Sequence, residues 1–364
     1  MLLGGDYYRY DFSQAQSFAF GGSSTISIDN PVHPGVPHGD LSITPASLNT
    51  QNTYTDNYGI YLQDQIKLPY NFHVTGGFRY QYVHATYERA EADGIFHPSE
   101  DVPPQTDDAT TPRVGLLWQP QKWLSLYSNY AENFGLNAGV FDFTGKFLPP
   151  ESAQQWEVGA KTELFDGRFR ASLAYYDLTK QNVATADKKH ATLPRCAVFG
   201  CYIAQGEVHS SGPELDIQGE ILPGWNVIAT YANQDVRVTK SENGDVGRRL
   251  QFTPRNVGSF WTTYEVQKGD FKGFKLGGGV NLQDGVVNQD NSIKSPGYAL
   301  VGLMAGYSFE VGKAKINAQL NIDNLLDKAY VTNRAPETNS FDGNIGSVSF
   351  STPRTFMGSI NVEY

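Results

Sequence analysis

The sequence predicts an all-β fold: a transmembrane antiparallel β-barrel, with about fourteen strands present. Three observations predict it. Apolar and polar residues alternate with a period of two along most of the chain. The connections between these stretches are short and long by turns. The composition suits strands and turns, with 21 Tyr, 21 Phe and 37 Gly in 364 residues but only three Met.

The alternation is clear in Ala314–Asp323, where Ala314, Ile316, Ala318, Leu320 and Ile322 share one face. Lys315, Asn317, Gln319, Asn321 and Asp323 share the other. The same pattern recurs at Phe169, Ala171, Leu173 and Tyr175, at Phe356, Gly358, Ile360, Val362 and Tyr364, and at Tyr58, Ile60 and Leu62. A large soluble sandwich would alternate too, so the connections decide. Short ones fall near residues 69–71, 119–121, 165–167, 223–224, 268–272 and 309–312. Long ones run over 21–53, 88–110, 133–152, 185–206, 240–253, 286–296 and 335–352. Membrane barrels have short turns on one side and long loops on the other. A sandwich has no reason to place a long loop after every second strand.

On this basis the strands run over 2–12, 54–68, 72–88, 111–119, 123–132, 153–163, 167–184, 207–221, 225–239, 254–266, 273–285, 297–307, 313–334 and 352–364. The strand 313–334 bends at Asn324–Asp327. Most spans exceed the ~9–11 residues a tilted strand needs to cross the hydrocarbon. Trp118, Trp123, Trp225, Tyr307 and Tyr364 stand at strand ends, as aromatic girdles would. No stretch approaches ~18 consecutive apolar residues, so no membrane helix is expected. Lipid offers backbone groups no partners, so the sheet is expected to close around a polar lumen.

The formal charge of −10 and the lack of a basic run argue against nucleic acid as a partner. Met1–Tyr10 has no basic start, apolar core or cleavage site, so either an export signal is expected to have been removed or the chain is expected to be incomplete. Cys196 and Cys201 lie five positions apart in a loop region. They either close a small disulfide hairpin in an oxidising compartment or are two unrelated thiols.

Several stretches carry a family resemblance. They are Leu2-Leu-Gly-Gly-Asp-Tyr7, Tyr58-Gly-Ile-Tyr-Leu-Gln-Asp-Gln65, Gly76-Gly-Phe-Arg-Tyr80, Pro112-Arg-Val-Gly115 and Tyr127-Ser-Asn-Tyr-Ala-Glu-Asn-Phe134. Then come Gln155-Trp-Glu-Val-Gly-Ala-Lys161, Tyr176-Asp-Leu-Thr-Lys-Gln-Asn182, Gly212-Pro-Glu-Leu-Asp216, Pro254-Arg-Asn256, Asn321-Ile-Asp-Asn-Leu-Leu-Asp-Lys-Ala-Tyr330 and Pro353-Arg-Thr355. In this order they resemble TonB-dependent outer-membrane receptors for ferric siderophores, of the ferrichrome or ferric hydroxamate type.

The resemblance implies a barrel of roughly 22 strands with a plug domain inside. Counted back from Tyr364, residues 1–364 are then a partial barrel domain that starts at about the ninth strand. Signal peptide, TonB-contacting segment, plug and the earlier strands are expected to be missing. Met1 is then an internal start, a truncated gene or a fragment end. A rival expectation is that strands 2–12 and 352–364 pair and close a smaller barrel.

The resemblance also implies the ligand, a ferric siderophore, and coupling to TonB through the missing plug. Lipid and lipopolysaccharide would surround a monomer in the bacterial outer membrane. No cofactor or metal site is expected. Ferric hydroxamates suit aromatic side chains with hydrogen-bonding tips. Phe18, Phe20, Tyr80, Tyr82, Phe134, Phe141 and Phe341, near outer strand ends or in loops, are the candidates. Phe18 leads, because the family places an aromatic contact after the same strand. Each could instead be a loop-packing or girdle residue.

Arg249 and Gln251 are possible polar partners, while Arg248 and Arg249 would equally suit lipopolysaccharide. Glu88, Glu91, Asp93, Glu100, Asp101, Asp107 and Asp108 read as an acidic loop kept in solvent. It would repel an anionic catecholate, which favours a hydroxamate. His33, His38, His84, His97, His190 and His209 lie in or beside long loops without ligand spacing. Neither a Gly-x-Ser-x-Gly elbow nor a phosphate loop occurs, so an enzyme is not expected. A passive 14-stranded channel and an outer-membrane hydrolase are the alternatives.

Overall fold

The computed structural model describes residues 1–16, 49–91, 102–137, 139–194, 196, 200–288, 291–331 and 350–364. They form one antiparallel sheet. Its strands are β1 (Leu2–Gln16), β2 (Asn49–Leu68), β3 (Phe72–Glu91), β4 (Val102–Gln121) and β5 (Leu124–Gly135). Next come β6 (Glu151–Leu164), β7 (Phe169–Ala186), β8 (Tyr202–Leu222), β9 (Trp225–Asn233) and β10 (Asp235–Lys240). The last five are β11 (Asn256–Glu265), β12 (Phe274–Gln283), β13 (Tyr298–Val311), β14 (Ala314–Asp323) and β15 (Thr355–Glu363). Each strand pairs with its chain neighbour, except that β10 pairs with β8 and β11 with β9. No helix among the described residues is long and apolar enough to cross a membrane.

Pairing extends the two-residue alternation into two continuous faces. On one, Val158 lies beside Tyr175, Leu173 beside Leu215, Ala229 beside Phe260, and Leu303 beside Ile322. Ile60, Val158, Leu173, Phe356 and Ile360 on this face are all more than half exposed. A soluble sheet would bury such a surface. The opposite face is polar, with Lys161 beside Ser172, Ala174 beside Glu214, and Asn317 beside Asn361.

Three expectations change. Strands reach further than expected at the long-loop end, so Asp107 and Asp108 lie inside β4 rather than in a loop. The expected strand 225–239 is two strands. The pairing with β8 is interrupted at Gln234 and resumes in the same register, with Ala232 facing Glu214 and Asp235 facing Ser211. β10 then runs along β8 to Glu207, while β11 pairs with β9 and not with β10. The expected strand 313–334 ends at Asp323. Asn324 takes φ +49°, a left-handed value that an extended strand cannot continue through. Its side chain, buried, donates to the Lys328 and Thr352 carbonyls and accepts from the Lys328 amide.

The sheet is not closed. Among the described residues β1 pairs with β2 alone and β15 with β14 alone. The smaller closed barrel is therefore not the arrangement seen. Each outer strand keeps one row of unpaired backbone groups.

Candidate ligand-binding site

The long-loop end of the polar face carries the most organised side chains. Thr53, Asn57, Val83, Ala85 and Tyr87 share that face on β2 and β3, and all are buried. Part of the cover comes from the segment between β5 and β6. Phe141 and Phe147 pair as a short antiparallel bridge, and Leu148 is buried. The turn between them is built by Asp142, whose Oδ1 accepts from the Thr144 and Lys146 amides and the Thr144 hydroxyl. Burial opposes the charge on Asp142, but these hydrogen bonds outweigh it and hold the carboxyl below its ordinary value.

The hairpin is tied at several points. The Gln105 side chain on β4 donates to the Leu148 carbonyl at 2.9 Å. Asn137 donates to the carbonyls of Pro149 and Asn182, and Asn182 donates to that of Pro150. The Tyr202 amide donates to the Phe141 carbonyl at 2.9 Å. As a result three aromatic rings meet. Phe141 lies 4.9 Å from Tyr87 and 4.9 Å from Phe147, while Tyr87 and Phe147 meet edge-on at 6.3 Å. Such a cluster offers an organic ligand an aromatic, apolar surface.

A second connection, between β7 and β8, braces the first. Phe143 stacks on His190, whose Nδ1 is 2.7 Å from the buried Asp187 carboxylate. The Asp187 amide donates to the Cys201 carbonyl, and Cys201 is disulfide-bonded to Cys196 with Cα atoms 4.8 Å apart.

The family model for the TonB-dependent receptor-like β-barrel matches residues 2–325. The chain belongs to the TonB-dependent receptor β-barrel family. It is 30% identical over 336 residues to the metal-pseudopaline receptor of Pseudomonas aeruginosa, covering 91% of this chain and 45% of that protein. It is also 30% identical over 335 residues to the ferrioxamine B receptor of Salmonella typhimurium, covering 91% and 44%. The chain thus spans about half the length of these curated relatives. The crystal structure of the ferric preacinetobactin receptor of Acinetobacter baumannii has the same fold. Its TM-score is 0.71 at 23% identity, over 98% of this chain and 50% of that one.

The seven aromatic candidates in this TonB-dependent receptor barrel divide by face. Phe141 is at the polar face, in the cluster just described. Tyr80 and Tyr82 share the apolar face with Phe78, and Tyr82 lies 6.1 Å from Tyr58 across the strand pair. Phe134 has the same parity as Leu126 and Tyr130, on that face too. Phe18, Phe20 and Phe341 lie outside the described residues. Tyr87 and Phe147 were missed by sequence reasoning. Tyr87 falls within the expected strand 72–88 and Phe147 within the expected loop 133–152, and only the fold brings them to Phe141.

The other polar candidates are engaged locally. Arg249 donates to the Thr253 carbonyl, and its backbone exchanges two hydrogen bonds with the Asn291 side chain. Gln251 lies in the same loop, half-buried. His84 is at 3.0 Å from the Thr106 hydroxyl, and His209 at 3.0 Å from Asp177. His33, His38 and His97 lie outside the described residues. Among the described residues no three His, Cys, Asp or Glu side chains gather to hold a metal.

Proposed function

We propose that this chain, over residues 1–364, is the barrel-forming part of an energised outer-membrane receptor for ferric siderophores of hydroxamate type. What carries the reading is the family membership, together with curated relatives that are receptors for metal-pseudopaline and ferrioxamine B. The apolar face then meets lipid, and the polar face surrounds a plug. Ligand settles against the outer end of the polar face, where Phe141, Tyr87 and Phe147 meet. Phe18, Phe20 and Phe341 are proposed to add to that surface from the neighbouring loops. Coupling to TonB runs through the plug, in a part of the protein this chain does not include. The chain works as a receptor and not as an enzyme, as a monomer amid lipid and lipopolysaccharide, with the siderophore as cargo and no cofactor of its own.

The test is binding of radioactive iron carried by a linear hydroxamate or by a catecholate, on outer membranes containing the protein. Saturable hydroxamate binding that weakens several-fold in Phe141→Ala supports the reading. Preference for the catecholate overturns the hydroxamate assignment. TonB-dependent uptake by the 364-residue chain alone would overturn the division of labour between barrel and plug. Steady ion conductance of the chain in planar bilayers would favour a passive pore instead.

A further inference from the structure

One row across the polar face contains an unsatisfied pair of acceptors. Tyr8, Asn57, Val83 and Asp107 are register partners on β1 to β4, so their side chains stand side by side. Asn57 is 4% exposed and Val83 1% exposed. The Asn57 amide nitrogen donates to the Tyr8 hydroxyl at 2.8 Å, which turns Oδ1 the other way. That Oδ1 is buried and has no hydrogen-bond partner, and the same holds for Oδ2 of Asp107. Neighbouring strands are ~4.8 Å apart, so the two residues flank Val83 at roughly 10 Å between Cα atoms.

No cation among the described residues pairs with Asp107. Arg79, on the same face of β3, is already committed: its guanidinium grips both oxygens of Asp6 at 2.6 and 2.9 Å. It reaches Asp6 over Gly59, where a Cβ would stand 2.3 Å from the guanidinium. The Gln105 side chain, two residues away on the same face, interacts with the Asp107 carboxyl and donates to the Leu148 carbonyl, but Oδ2 itself keeps no partner. A buried carboxylate oxygen without a cation or donor is costly, and buried acceptors are nearly always satisfied.

Taken with the siderophore reading, on which it rests, the geometry points to a subsite for a protonated amine, held between Asn57 Oδ1 and Asp107 Oδ2. An ammonium supplies three donors and one positive charge, and so satisfies an amide oxygen and a carboxylate at once. The row lies four residues along β3 from Tyr87. A ligand whose iron-bearing body rests on the aromatic cluster can therefore extend an aliphatic amine into it. The preferred cargo is then a linear ferric hydroxamate with a free amine.

The experiment compares ferric ferrioxamine B, which ends in a primary amine, with its N-acetylated form. The 364-residue chain is folded in detergent, with folding checked by circular dichroism and heat-shifted gel mobility. Wild type should bind the amine form at least about tenfold tighter, because a hydrogen bond to a charged group is strong. Asp107→Asn should bring the ratio close to one by weakening binding of the amine form. Asn57→Asp should raise the ratio. Equal wild-type affinity for both forms overturns the subsite while the siderophore reading stands. A ratio that survives Asp107→Asn also overturns the subsite. Binding of neither form by folded chain overturns both.

Discussion

Phe143 and His190 lie face to face, ring centroids 3.9 Å apart and planes inclined by 14°. The contact joins two connections that are far apart in sequence, one following β5 and the other following β7. Phe143→Ala should release the second connection. Lys188 and Lys189 are the adjacent tryptic sites. Stacked rings contribute about 0.5–1.5 kcal/mol, so cleavage there should quicken by a few-fold to about tenfold. Cleavage at Lys272, in a turn at the other end, is the internal control and should not change.

Asp187 sets the pH range over which that connection is ordered. Burial works against its charge, but hydrogen bonds from the His190 ring and from the His190 and Lys189 amides outweigh it. Its carboxyl is held below its ordinary value of 3.8. A carboxylate depressed in the folded loop contributes stability that is fully present above pH 3.8. That stability is lost as pH falls through the lower folded value. Amide protection at Lys189 and His190, corrected for intrinsic exchange, should be unchanged between pH 7 and 5 and should vanish on further acidification. In Asp187→Asn it should be weak throughout.

Gly212 lies opposite the break between β9 and β10. Residues from Glu214 onward pair with β9, and those before Gly212 pair with β10 in the same register. A Cβ on Gly212 would stand 1.7 Å from the Asn233 carbonyl oxygen. Gly212→Ala must push the Asn233–Gln234 break away from β8, at a cost of about 1–3 kcal/mol. Hydrogen exchange should rise in Asp235–Lys240 and stay low in Trp225–Asn233, which β11 holds from its other side. Equal exchange in both strands would show that this close approach does not need glycine.

Asn324 should be irreplaceable by either of the residues that imitate half of it. Glycine accepts its left-handed backbone but loses three hydrogen bonds, and aspartate can accept but not donate. Asn324→Gly and Asn324→Asp should each cost about 2–3 kcal/mol, because carbonyls or amides are left buried without partners. The expected readout is a lower urea midpoint for loss of β15, followed by fluorescence of a label on Tyr364→Cys. A midpoint equal to wild type would mean that Asp327, whose carboxylate accepts from the Arg354 amide at 2.8 Å, holds this corner alone.

What the sequence made legible follows from where the two faces differ in chemistry. Across the middle of β6, β7 and β14 one face is apolar and the other polar, so alternation marks both strand and register. Toward the long-loop end both faces turn polar, and the signal disappears while the strand continues. β3 runs on through Glu88 to Glu91, and β4 starts at Val102, ahead of Pro103 and Pro104. That is why Asp107 read as a solvated loop acid although one of its carboxylate oxygens is buried, beside Val83. The break at Gln234 left no mark, because β10 alternates as β9 does and pairs with β8 in the same register. Of the site, Phe141 was legible as a loop aromatic. Its contacts with Tyr87 and Phe147 depend on tertiary placement, which no local pattern encodes.

Because nearly every strand lies against the one before it in the chain, the sheet can be built by adding hairpins in order. Each addition closes only its own loop, and loop entropy grows slowly with length. Even β10 fits this order, because it continues β9 along β8 in unchanged register. Assembly can therefore run from either flank without a long-range pairing step. The same topology lets whole hairpins be gained or lost over evolution without any strand having to find a new partner beyond the cut.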